Sequence, residues 1–89
     1  HIHGVCLRRR DLPSHFVSKV LRSVDRKHAW RAQVMHCCNP EEAEQVRSAL
    51  LAQLPGVECP QVFDAGSAIG AHAGSGAVVL ALMPRLPVA

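Results

Sequence analysis

The run AVVLALM, residues 77 to 83, is apolar at every position. It has the length of a strand, and a strand without a polar side is buried on both faces or lies centrally in its sheet. The rest of the chain must therefore supply neighbours for it.

Two segments read as amphipathic helices. In DLPSHFVSKVLRSVDRKH, Leu12, Phe16, Val17, Val20, Leu21 and Val24 fall on one stripe, with Lys19, Arg22 and Arg26 on the wet side. Asp11 is placed to cap this helix and Pro13 sits in its first turn, which predicts a helix from about Leu12 to Lys27. In NPEEAEQVRSALLAQLPG, Asn39 stands at the cap, Pro40 at the first helical position and Glu42 where a capping box closes. Ala43, Val46, Leu50 and Leu54 form its buried stripe, and Pro55-Gly56 ends it.

Between them, WRAQVMHC alternates Trp30, Ala32 and Val34 with Arg31 and Gln33, the period of a strand covered on one face. A short strand at Val5 to Arg8 and another around Gln61 to Phe63 complete the order: strand, helix, strand, helix, strand, turn, strand. The fold expected is α/β, a two-layer sandwich with two helices on one face of a small mixed sheet. The all-apolar last strand then asks for cover on the second face, from something outside this segment.

With 89 residues there is room for one core, because a chain this short buries only roughly 60 to 65% of its unfolded surface. Apolar residues make up 48% of the chain and charged ones 19%, a globular balance, and aromatics are so few that the core is aliphatic. Few aromatics also disfavour a base-stacking platform for single-stranded nucleic acid. No apolar stretch reaches the roughly 18 residues of a membrane span and no secretion signal is evident, so a cytoplasmic location and no stable membrane insertion are expected. The first residue is not methionine, which leaves a fragment, a processed product or a vector remnant open. The same context makes Cys6, Cys37, Cys38 and Cys59 buried or free thiols in preference to two disulfides.

Three features invite a chemical reading. His36-Cys37-Cys38 holds good Zn²⁺ ligands, but adjacent strand residues point to opposite faces and no second ligand pair follows, so no metal is expected. Arg8, Arg9 and Arg10 supply much of the formal charge of +3. A lone basic run without a DNA-binding module reads as solvated surface, not a nucleic-acid site, although one arginine aimed inward makes a good carboxylate partner. The segment Gly66, Gly70, Gly74, Gly76 fits neither a dinucleotide fingerprint nor a P-loop. Glycines at this density allow close backbone approach, and composition alone favours a close-packed turn with His72 as hydrogen-bonded structure.

NPEEAEQVRSALLAQLPGVE followed by VFDAGSAIGAHAGSGAVVLALMP resembles the C-terminal end of the DegV family of bacterial fatty-acid-binding proteins. The family shows a strand, an NPEEAE-like helix and a segment of the form G-P-x-I-G-x-H-x-G-P-G before its last strand. Here that segment runs from Gly66 to Gly76, with serine at both positions where the pattern has proline. The resemblance covers about residues 31 to 83 and implies a two-domain protein with an acyl chain held between the domains. It implies that His72 contacts the carboxylate, that Gly70 and Gly74 clear space for the ligand, and that Arg8, or Arg9 or Arg10, supplies positive charge. The family's first domain has no counterpart in this chain.

The function expected is fatty-acid binding by one subdomain, which helps present an acyl carboxylate to a separate kinase; no catalytic residue and no cofactor are expected. The partners implied are a fatty acid, a fatty-acid kinase, and either a missing N-terminal domain or a second copy. The alternative is a structural or assembly module that pairs through its exposed sheet face. An enzyme pairing His72 with a cysteine nucleophile lacks support, since no cysteine lies in the motif.

Overall fold

The apolar run is the strand that others flank. In the computed structural model, which describes residues 3–6, 12–25, 29–59, 61–66 and 76–85, the elements are β1 (His3–Cys6), α1 (Pro13–Leu21), β2 (Trp30–His36), α2 (Pro40–Gln53), β3 (Val62–Asp64) and β4 (Val78–Pro84). The sheet order is β1-β4-β2-β3, so β4 lies between β1 and β2, as its composition requires. It pairs antiparallel with both, and β2 pairs parallel with β3. The sheet is therefore mixed, with the carboxyl ends of β1, β2 and β3 at one end, beside the start of β4.

Both helices feed one core. Phe16, Val17, Val20 and Leu21 of α1 and Ala43, Val46 and Leu50 of α2 join Trp30, Ala32 and Val34 of β2 and Val78, Leu80 and Leu82 of β4. The strand residues are alternate positions, and the register sets Ala32 against Leu82 and Val34 against Leu80, so all lie on one face. This is the two-layer α/β sandwich the periodicities predict. Burial of each Leu or Val here contributes about 1.5–3 kcal/mol before ordering entropy is charged against it.

Several boundaries differ from the sequence expectation. β1 begins at His3, two residues before the expected start at Val5, and is described to Cys6, while Arg8 lies outside the described residues. α1 stops at Leu21, six residues short of Lys27, because the chain tightens into turns there. The N–H groups of Arg22, Ser23 and Val24 donate three residues back, to Lys19, Val20 and Leu21, and the Ser23 hydroxyl competes for the Val20 carbonyl at 3.2 Å. The indole Nε1 of Trp30 then donates to the Asp25 carbonyl at 2.8 Å. Leu12 leaves the apolar stripe and is 59% exposed: as the residue before Pro13 it is held extended, at φ −75° and ψ 141°. It is also the N-cap of α1, with no side-chain cap, in place of Asp11, which lies outside the described residues.

The capping box of α2 is absent as well. Asn39 makes no side-chain cap bond. Its amide Nδ2 donates instead to the Gly76 carbonyl at 2.8 Å, and its backbone N–H donates to Nδ1 of His36 at 3.2 Å. At the other end, α2 closes as expected, with Leu54 as C-cap and Gly56 at φ 89°.

Candidate functional site

His72, Gly70, Gly74 and Arg8, together with Arg9 and Arg10, lie outside the described residues. What the structure supplies is the frame that the glycine-rich segment springs from. The described chain departs at Gly66 and resumes at Gly76, and the two points are fastened at the carboxyl ends of β3 and β2.

On the departing side, Ala65 N–H donates to the His36 carbonyl at 3.0 Å, and Gly66 N–H donates to Oδ1 of Asp64 at 2.9 Å. On the returning side, Gly76 N–H donates to the Cys37 carbonyl at 2.7 Å and Cys37 N–H donates to the Ala77 carbonyl at 2.9 Å. The Asn39 amide adds its bond to Gly76. Gly66 and Gly76 have φ of 51° and 89°, a conformation that glycine adopts without the steric penalty of a Cβ. The chain also leaves β1 at this end, since Cys6 pairs with Val79 at the start of β4.

The sheet face away from the helices borders this end and has no cover among the described residues. Register places Phe63, Met35 and Val79 in one row across β3, β2 and β4. Phe63 is 37% exposed, and Met35 and Val79 are half-buried. Further along the same face the residues turn small and polar: Ala81 beside Gln33, then Met83 beside Arg31. At the far end Arg31 and Arg85 both reach Glu58, at 3.3 and 3.2 Å, half-exposed pairs of the kind that contribute about 0–1 kcal/mol. The open face is thus apolar next to the glycine-rich segment and charged at the opposite end.

His36, Cys37 and Cys38 are separated by role. His36 is buried and serves as acceptor for the start of α2. Cys37 is buried and Cys38 is exposed, and Cys37, Cys38 and Cys59 are all free thiols. Among the described residues no group of three His, Cys, Asp or Glu side chains is arranged to hold a metal. Burial pushes the Cys37 thiol up, the Cys38 thiol and the Asp64 carboxylate add to this, and the hydrogen bond from Gly76 opposes it. Cys59, toward the other end of β2, is also pushed up by burial, with the Arg47 guanidinium pulling the opposite way.

A shallow cleft of about 430 Å³ lies between the start of α1 and the outer side of α2, lined by Leu12, Pro13, Glu44, Gln45 and Ser48 among others. It belongs to the helix layer, on the opposite side of the molecule from the open sheet face. No described helix is long and apolar enough to cross a membrane.

Sequence reasoning expected cover for the second face but singled out none of Met35, Phe63 and Val79 as its lining. Their signal was the odd-numbered half of the same alternation that identified the core. It also missed Asn39 as a tether, because an amide at a helix start reads first as a cap.

No family model matches the sequence, and comparison with curated proteins gives no match. Among solved structures, the chain is similar to the crystal structure of DegV, a fatty acid binding protein from Bacillus subtilis, with a TM-score of 0.68 and 26% identity. The likeness takes in 89% of this chain and 28% of that one, so the chain spans little more than a quarter of the DegV length and shares the α/β arrangement of that part.

Proposed function

We propose that this chain forms one wall of a fatty-acid site, in which His72 donates to the carboxylate, Arg8 supplies positive charge, and Gly70 and Gly74 let the ligand approach the backbone. The observation that carries the reading is the position of the glycine-rich segment: it is fastened at Gly66 and Gly76 on the rim of an uncovered sheet face whose nearest row is Phe63, Met35 and Val79. A carboxylate needs donors and charge, and an acyl tail needs an aliphatic wall running away from them. The likeness to DegV, a fatty acid binding protein, supports the same chemistry.

The bound carboxylate is then offered to a separate kinase, and the second wall comes from a further domain or another copy. Binding requires no covalent step, so the reading is of a carrier and not an enzyme. The test is a titration of the isotope-labelled chain with a long-chain fatty acid below its micellar concentration, followed by backbone amide spectra. Shifts gathered at Gly66, Gly76, Cys37 and the row of Met35, Phe63 and Val79, and weakened in His72→Ala, are expected. Shifts confined to the helix layer, or none at all, overturn the proposal.

The open face itself favours one alternative, self-pairing through Phe63 and its row. Light scattering distinguishes it: a chain that stays monomeric at high concentration rules it out.

A further inference from the structure

Asn39 stands where the sequence asks for a helix cap, and its side chain is turned to another use. A cap accepts: its side-chain oxygen takes the N–H of the second or third helical residue. Here the amide donates, from Nδ2 to the Gly76 carbonyl at 2.8 Å, and α2 starts without a side-chain cap bond. A carbonyl only accepts, so its partner fixes which way this amide points.

The returning residue of the glycine-rich segment is thereby held by both polar groups of its backbone. Gly76 N–H donates to the Cys37 carbonyl at 2.7 Å and the Gly76 carbonyl accepts from Asn39, so both bonds run to the short connection between β2 and α2. Side-chain packing has no part in this, since even a Cβ at Gly76 would meet nothing within 4 Å. Asn39 is itself anchored on both sides: its N–H donates to Nδ1 of the buried His36 at 3.2 Å, and its carbonyl accepts from Ala43 N–H at 3.2 Å. At the departing end the bonds from Ala65 to His36 and from Gly66 to Asp64 stay within the strand ends, and neither reaches α2.

We propose that Asn39 is a positioning residue of the fatty-acid site, a role that rests on the fatty-acid reading above. It touches no ligand; by tying Gly76 to the start of α2 it holds the returning end of the segment that carries Gly70, His72 and Gly74 at the rim of the open face. Groups held in place before the ligand arrives lose less freedom on binding, so the tether raises affinity. The start of α2 goes without a cap in exchange, and Glu41 and Glu42 in its first turn offset part of that loss through the helix dipole.

The experiment compares Asn39→Ala and Asn39→Asp with the wild-type chain. Neither variant keeps a side-chain donor at neutral pH, but aspartate is among the strongest caps and alanine among the weakest, so the pair separates positioning from stability. Affinity for palmitate, below its micellar concentration, is read from backbone amide shifts where urea curves show each chain folded. Asn39→Ala should bind about 2- to 10-fold more weakly, the factor for one net hydrogen bond, and Asn39→Asp no better, although Asn39→Asp should unfold at the higher urea concentration. Without ligand, the Gly76 amide should exchange faster with solvent in both variants, while the amides from Leu50 to Gln53 keep their protection. Affinity that follows the unfolding midpoint, wild-type affinity in either variant, or unchanged exchange at Gly76 overturns the role of Asn39 and leaves the fatty-acid reading standing. A wild-type chain that takes up no palmitate overturns both.

Discussion

At Gly76 the backbone sits at φ 89° and a Cβ would meet nothing within 4 Å, so only conformation restricts this position. Gly76→Ala should therefore destabilise the fold by about 1–2 kcal/mol without a clash, read as a lower denaturation midpoint with an unchanged slope. A neutral result means that the turn does not depend on that conformation. Gly66 differs only slightly, since a Cβ there stands 3.8 Å from Oδ1 of Asp64, an ordinary contact. At this scale the sequence was a partial guide. The glycines read as a close-packed turn, and left-handed φ at Gly66 and Gly76 came only with the structure; Asn39, chemically suited to a cap, donates instead to the carbonyl of Gly76, 37 residues away. Cys38, at φ 55°, likewise owes its conformation to the ending of β2, which no local pattern reports.

α2 carries the helix layer. It contacts α1 as well as β2, β3 and β4, and Leu50 on its buried stripe is fully enclosed. Leu50→Ala should cost about 2–5 kcal/mol, the sum of lost transfer energy and the cavity left behind, measured by urea denaturation. A loss below about 1 kcal/mol would show that the site collapses freely. Between the helices, the Ser18 hydroxyl donates to Oε1 of Gln53 at 2.7 Å, and Nε2 of Gln53 donates to the Ser14 carbonyl at 3.0 Å. The apolar stripes of both helices were legible because a 3.6-residue period has to face the core wherever the helix lands. The end of α1 was not: Val24 keeps its place against the core from a turn, so the stripe continues after the helix has stopped.

The molecule as a whole has one finished face and one open one. Phe63 lies on the open face and stays 37% exposed, so Phe63→Ser should cost less stability than Leu50→Ala in the same denaturation experiment. A large loss would show that the open face is part of the chain's own core. Alternation and helical period by themselves determined the element order, the buried set of β2 and α2, and the central place of the all-apolar β4. These follow from local geometry, which dictates which side chains share a face whatever lies opposite. Tertiary structure alone decided that the carboxyl ends of β1, β2 and β3 meet at one end, that Ala65 and Gly76, at the two ends of the glycine-rich segment, are fastened to His36 and Cys37, and that Phe63, Met35 and Val79 line up in one row. Those relations join residues far apart in the chain, and strand order and register, which a single sequence does not encode locally, are what bring them together.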